Sequence, residues 1–208
     1  MSKISYGVKL MDWLIQLDQL NKIQELMELC LQCRRCGLRD TCSNVVFGDG
    51  DPEAQLMLVG EAPGQEEEKQ GRPFVGPAGK LLDNILNAAG FRREDVYITN
   101  VVKCRPPKNR IPKQEEADLC SAYLTRQIEL IQPRLIVCLG ALATKYLVHH
   151  DAKVTAVRGD VFVKGGIQII PTYHPAALLR DNNKKKPVWR DFQKIRDLYQ
   201  TFLTSKNK

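Results

Sequence analysis

A chain of 208 residues, 43% of them hydrophobic, is long enough for one substantial core and too apolar for wholesale disorder. No apolar run approaches the ~20 residues that cross a bilayer, so no membrane-spanning helix is expected. The formal charge of +7 favours a polyanionic partner only mildly. Seven cysteines, an odd number, argue against a disulfide framework and for metal or redox chemistry in a reducing compartment.

In chain order, the N-terminus carries Asp12 and Asp18 inside its apolar part and no small-residue cleavage site. It does not read as a secretion signal, and a cytoplasmic location is expected. Residues 10–32 place Leu10, Trp13, Leu14, Leu17, Leu20, Ile23, Leu26 and Met27 at helical spacing, so residues 1–29 read as a helical N-terminal extension. The cysteine-rich turn "CLQCRRCGLRDTC" and a "GDGDP" loop follow. The chain then alternates. Strand-like "AQLMLVG" precedes helix-like "PAGKLLDNILNAAG", which Gly90 ends; "DVYITNVV" precedes "KQEEADLCSAYLTRQIELI"; "RLIVCLG" precedes "ALATKYLV". "DVFVKGGIQIIPTYHP" reads as a hairpin turning at Gly165–Gly166, and an amphipathic helix, "VWRDFQKIRDLYQTFL", closes the pattern. Near-continuous apolar strands alternating with helices predict an α/β fold with a mainly parallel central sheet, in one domain over residues 1–208.

In such a sheet the ligand crevice lies outside the carboxyl ends of the strands. Glu61 follows the first strand, Asn100 ends the second and His174 follows the last, so the topology brings three distant polar residues to one edge. "GEAPG" lacks the Lys-Ser/Thr of a phosphate loop, and Pro63 removes a backbone donor; a rigid turn holding Glu61 fits better. Phe74, in "GRPFVG", suits a loop anchor and a stacking platform for a planar ligand equally. Pro175 biases His174 towards extended geometry. The basic runs Lys103–Lys113 and Arg180–Lys186 each fit a solvated face as well as phosphate contact. Cys33-x2-Cys36 has metal-ligand spacing, and with Cys104 and Cys120 it would pin the N-terminal segment to the body of the fold. Spacing does not choose between zinc and an iron–sulfur cluster, nor does it exclude Cys30 as a member.

Three segments taken together, "GEAPGQEEEKQGRPFVGPAGKLL", "VYITNVVKCRPPKNRIPKQEEADLC" and "PTYHPAALLR", resemble the signature regions of family 4 uracil-DNA glycosylases, in the expected order. The resemblance runs from about Cys33 to the last helix. It implies a four-stranded parallel sheet flanked by helices and a structural 4Fe–4S cluster on Cys33, Cys36, Cys104 and Cys120, with Cys30 and Cys42 as extras and Cys138 a buried apolar residue. It implies a monomeric base-excision-repair hydrolase that flips uracil from single- or double-stranded DNA and leaves an abasic site. Gly60, Ala62, Phe74 and Asn100 would form the uracil pocket, with Phe74 stacking on the base and Asn100 reading O4 and N3–H. His174 would donate to O2 as negative charge develops there. Leu178 or Leu179 would wedge into the minor groove, with Arg180, Lys103 and Arg105 on DNA phosphates. In members with a GQDPY motif an aspartate positions water and a tyrosine blocks thymine; Ala62 and Gly64 occupy those places here. Glu61 or Glu67 would then orient water, with Glu61 preferred for its rigid loop. The alternatives are a non-catalytic DNA-binding iron–sulfur protein and the crosslinking branch of the superfamily. That branch inserts a histidine-containing basic loop where this chain has the compact "KCRPPKNRIPK".

Overall fold

Apolar runs without a polar face become strands covered on both sides. In the computed structural model, which describes residues 3–205, the strands are β1 (Asp49–Gly50), β2 (Leu56–Gly60), β3 (Tyr97–Asn100), β4 (Leu135–Leu139), β5 (Phe162–Lys164) and β6 (Ile167–Thr172). Residues 1 and 2 of the expected extension, and the side chain of Leu10, lie outside the described residues. The helices are α1 (Lys3–Gln19), α2 (Ile23–Leu31), α3 (Gln65–Gln70), α4 (Pro77–Ala88), α5 (Gln114–Ile131), α6 (Ala141–Leu147), α7 (Val154–Val157), α8 (Pro175–Arg180) and α9 (Lys185–Ser205).

The sheet order is β1-β3-β2-β4-β6-β5. The inner four strands are parallel and bear out the expected class, while β1 and β5 add antiparallel edges, so the sheet has six strands rather than four. β1 is only Asp49–Gly50 and has no apolar signal to read. The hairpin turns at Gly165 and Gly166 (φ 54° and 81°), a two-residue turn that favours glycine at both places.

Alternate residues of β2 supply the two cores. Leu56 and Leu58 join Leu82 and Leu86 of α4 and Phe192 and Ile195 of α9. Met57 and Val59 join Leu26 of α2 and Tyr123 and Leu124 of α5. The single apolar stretch expected over residues 10–32 is two helices, broken between Gln19 and Ile23. They pack on α5 through Trp13, whose ring meets Tyr123 edge-on at 5.4 Å.

From β2 the chain passes through α4 to β3 on one side, then crosses back through α5 to β4 on the other. The strand ends therefore diverge at β2, the switch point where a crevice opens. Segment 175–180 is the short helix α8, because Pro175 sits in its first turn and Ala-Ala-Leu-Leu are good helix formers.

Gly79 tests how closely α4 seats the loop before it. Replacing a mid-helix glycine by alanine ordinarily adds up to ~1 kcal/mol. Here the new Cβ would lie 1.9 Å from the Phe74 carbonyl oxygen. Overpacking of this kind costs roughly 1–3 kcal/mol, so the sign should reverse. Gly79→Ala is expected to lower the urea midpoint; a higher midpoint would mean that the Phe74 loop yields freely.

Candidate active site

Parallel strands in register end together. Gly60, last in β2, stands beside Asn100, last in β3, and His174 lies two residues beyond β6. These ends open into a cavity of about 430 Å³ lined by Glu61, Ala62, Phe74, Asn100, His174 and Arg180 among others. Asn100 is 1% exposed, and its Oδ1 has no hydrogen-bond partner. Gly60 leaves room for that amide: a Cβ there would lie 2.3 Å from Asn100 Oδ1 and 2.6 Å from Phe74 Cζ.

Phe74 adopts φ 53°, a left-handed conformation uncommon outside glycine. Its loop is held from two sides. Arg93 donates to the carbonyls of Pro73 (2.6 Å) and Phe74 (3.1 Å) and pairs with Asp83 (2.7 Å). Glu67 accepts from the amides of Val75 (2.9 Å) and Gly76 (2.8 Å). Strain of this kind persists only where the surroundings over-determine it. The Phe74 ring, 5% exposed, stacks against His174 with centroids 5.4 Å apart and planes 30° from parallel.

His174 caps α8: its Nδ1 accepts the Ala176 amide at 3.1 Å. A nitrogen that accepts carries no proton, so the neutral ring has its hydrogen on Nε2. Burial, reinforced by the Arg180 guanidinium and opposed by Glu67, pushes the imidazole down to about 4, so it is neutral at pH 7.

The two candidate carboxylates differ in how they are engaged. Glu67 also accepts from Gly64 N (3.1 Å), the N-cap amide of α3, so with Val75 and Gly76 it staples three amides. Glu61 forms no side-chain hydrogen bond or ion pair among the described residues and borders the cavity. Burial raises its carboxyl above the usual range.

A second pocket is lined by Cys30, Cys33, Cys36, Cys104 and Cys120, with Lys103. Among the described residues no three His, Cys, Asp or Glu side chains converge as the ligands of one ion would. Thiols ringing a pocket at wider spacing suit a polynuclear cluster, in which each thiolate binds its own iron. The donor set fits such a group, and Cys30, left aside in the sequence, stands on the same pocket. Cys42 instead contacts Cys104, whose thiol helps lower it to about 7. Cys138 is fully buried, as expected of an apolar residue.

Two expected DNA contacts need correction. Lys103 is 1% exposed, and its ammonium donates inward to Thr99 Oγ1 (2.7 Å), the Asn100 carbonyl (2.7 Å) and Gln127 Oε1 (2.5 Å). It cannot reach a phosphate. Leu178 is 1% exposed and packs in the core with α4, because a helical 175–180 turns one of two adjacent leucines inward; Leu179, 52% exposed, is the one that faces out. Arg105 braces its own loop through Glu68 (3.1 Å) and Asn109 (2.6 Å). Arg180 is exposed and borders the cavity. Arg110, also on the cavity wall, was missed: it lies within a run of cations, and its pairing with Glu116 has no local signature.

A neutral, partly buried imidazole has a thermodynamic signature. The unfolded chain takes up the His174 proton near the ordinary 6.5, whereas the folded chain waits until about 4. The unfolded state therefore binds more protons between those values, and stability is lost as pH falls through that window, by on the order of 3 kcal/mol. Between pH 7 and 4.5, urea unfolding should show a clearly smaller stability loss in His174→Gln than in the wild type. Equal losses would mean that the ring is not buried in its neutral form.

Residues 47–193 match the model of the uracil DNA glycosylase superfamily. The type-4 uracil-DNA glycosylase of Sulfurisphaera tokodaii is 46% identical over 195 residues, covering 86% of this chain and 89% of that protein. That of Thermotoga maritima is 47% identical, covering 79% and 88%. A type-5 uracil-DNA glycosylase of Pyrobaculum aerophilum is 36% identical, covering 62% and 64%. With a strand-end cavity that sets an unpartnered amide, a neutral imidazole and a free carboxylate together, and with likeness of this extent, the chain belongs to the type-4 uracil-DNA glycosylases of the uracil-DNA glycosylase superfamily.

Proposed function

We propose that this chain removes uracil from DNA by hydrolysing its N-glycosidic bond, leaving free uracil and an abasic site. The observation that carries the reading is the buried Asn100 amide, whose Oδ1 lacks a partner at the end of the strand-end cavity. A buried acceptor left unpaired costs roughly 1–3 kcal/mol, which a ligand N–H recovers. Uracil offers N3–H to that oxygen and O4 to the amide NH2. Cytosine presents the reverse pattern at these positions and would set acceptor against acceptor.

The target base must leave the helical stack to reach this site, at a few kcal/mol. Leu179 fills the vacated space, and Arg180 holds a phosphate beside it. Phe74 offers its ring to the base. As the C1′–N1 bond breaks, the electron pair goes to uracil and negative charge gathers on O2. The His174 Nε2–H donates a hydrogen bond to that oxygen without giving up its proton. Glu61 orients the water that adds to C1′ and offsets positive charge on the sugar. The proton that water loses goes to the departing uracil anion, and Glu67 holds the two loops in place. Cys33, Cys36, Cys104 and Cys120 would hold a 4Fe–4S cluster, whose contribution is structural, since the hydrolysis transfers no electrons.

Base release from an oligonucleotide carrying one uracil, with chelator present and alkali-labile cleavage as the readout, tests this reading. Removing one well-aimed oxyanion donor costs about 10²–10³ in rate, so His174→Ala should release uracil slower by that factor. Wild-type protein that binds the oligonucleotide without releasing base would favour a DNA-binding role alone. Glu61→Gln should slow release with little change in stability, whereas Glu67→Gln, which turns an NH2 towards backbone donors, should lose roughly 1–3 kcal/mol of stability. An unimpaired Glu61→Gln protein would remove Glu61 from the mechanism.

A further inference from the structure

Lys103 is a lysine in the wrong place for a surface contact. It is 1% exposed, and its three protons go to three neutral oxygens, Thr99 Oγ1, the Asn100 carbonyl and Gln127 Oε1. No carboxylate among the described residues pairs with it. A buried ammonium satisfied in hydrogen bonds but not in charge is costly, and such charges persist where an anion stands close by. The nearby groups able to carry negative charge are sulfurs. Lys103 lines the cysteine pocket beside Cys30 and Cys120, and its own amide donates to Cys120 Sγ at 3.3 Å. A cluster held by four thiolates is net anionic and supplies the missing countercharge.

The same ammonium reaches the other site. Its 2.7 Å bond to the Asn100 carbonyl fixes the last peptide of β3, from which the base-reading amide projects. We infer that Lys103 is a positioning residue joining the two sites: it balances the charge of the cysteine-held cluster on one side and anchors Asn100 on the other. This inference rests on the uracil-excision reading for its second half only; the first half concerns the cluster alone.

Two variants separate the halves. Lys103→Met keeps the length of the side chain and removes the charge and the donors. Its cluster should have a more negative reduction potential than that of the wild type, because an added electron is no longer attracted by a nearby cation. Free uracil should inhibit it about tenfold less tightly, the equivalent of ~1.4 kcal/mol for a lost hydrogen-bonded anchor. Gln127→Glu places a carboxylate where Gln127 Oε1 now lies, 2.5 Å from the ammonium, and pairs its charge; it gives up the Nε2 donations to the Phe47 carbonyl and the Tyr97 hydroxyl but leaves the Asn100 bond in place. Its potential should also move negative, with uracil inhibition unchanged.

Both potentials are measured without DNA, by redox titration of chains whose iron content has been matched to the wild type. An unmoved potential in Gln127→Glu overturns the charge-balancing half, and this arm decides even if Lys103→Met fails to assemble its cluster. Uracil inhibition weakened equally in both variants would show that the effect is general loosening, and would overturn the anchoring half. Wild-type protein that releases no uracil would overturn the functional reading and leave the potential test standing.

Discussion

The site depends on how a dry sheet can end in an amide. Asn100 closes a strand whose every residue is buried, so its main chain must be satisfied by protein, while its side chain borders the cavity. Two neighbours make this workable. Gly60, beside it in register, has no side chain to fill the space that the amide and the Phe74 ring occupy. Lys103, three residues on, folds back to donate to the Asn100 carbonyl. The Asn100 carbonyl is thus bonded, while one side-chain oxygen is held buried and unpaired. Such an atom carries a standing cost, and the fold keeps it where a ligand donor would remove that cost.

The loop over this amide is organised by the same economy of backbone groups. Phe74 sits in a left-handed conformation, and the peptides around it present carbonyls on one side and amides on the other. Arg93 takes the carbonyls and Glu67 takes the amides, so opposite charges clamp one loop. Gly79 of α4 closes against the Phe74 carbonyl from beneath. The ring is therefore positioned by polar contacts to its own main chain rather than by apolar packing alone. This leaves its face free to stack, at present on His174.

How much of this could be read from the sequence depended on whether the signal was periodic or positional. The parallel sheet and its main helices follow from apolar runs, and the rule that crevices open at strand ends picked out Glu61, Asn100 and His174, which do line one cavity. Side-chain direction was harder. Lys103 lies in "KCRPPKNR", where a run of cations and prolines reads as solvated loop; its inward turn depends on Gln127, 24 residues away, which no local pattern announces. Glu67 was readable in part, since a glutamate three residues after Gly64 is in capping-box position, but its bonds to Val75 and Gly76 are set by the return of the loop. Leu178 and Leu179 could be told apart only once 175–180 was known to be helical, because adjacent residues of a helix face about 100° apart. β1, two residues of Asp-Gly, carried no pattern at all.

The N-terminal helices and the cysteine pocket serve one end, the seating of residues 30–46 against α5. Trp13 meets Tyr123 edge-on and lies under the Arg35 guanidinium at 4.0 Å, while Arg126 of α5 reaches out to the Leu20 carbonyl at 2.5 Å. The amide of Val46 then bonds the Lys103 carbonyl at 2.8 Å. The thiols of Cys33 and Cys36, from the segment after α2, share a pocket with Cys104 and with Cys120 of α5, so a group held there would close chain loops of many tens of residues. Closing long loops is where a cross-link removes the most chain entropy. The helices confer apolar contact and the thiols, holding a common group, would confer a tether, both on the stretch that leads into Phe47 and the Thr99–Gln127–Lys103 cluster behind Asn100. The extension and the cysteines are thus continuous with β3 through side chains in direct contact.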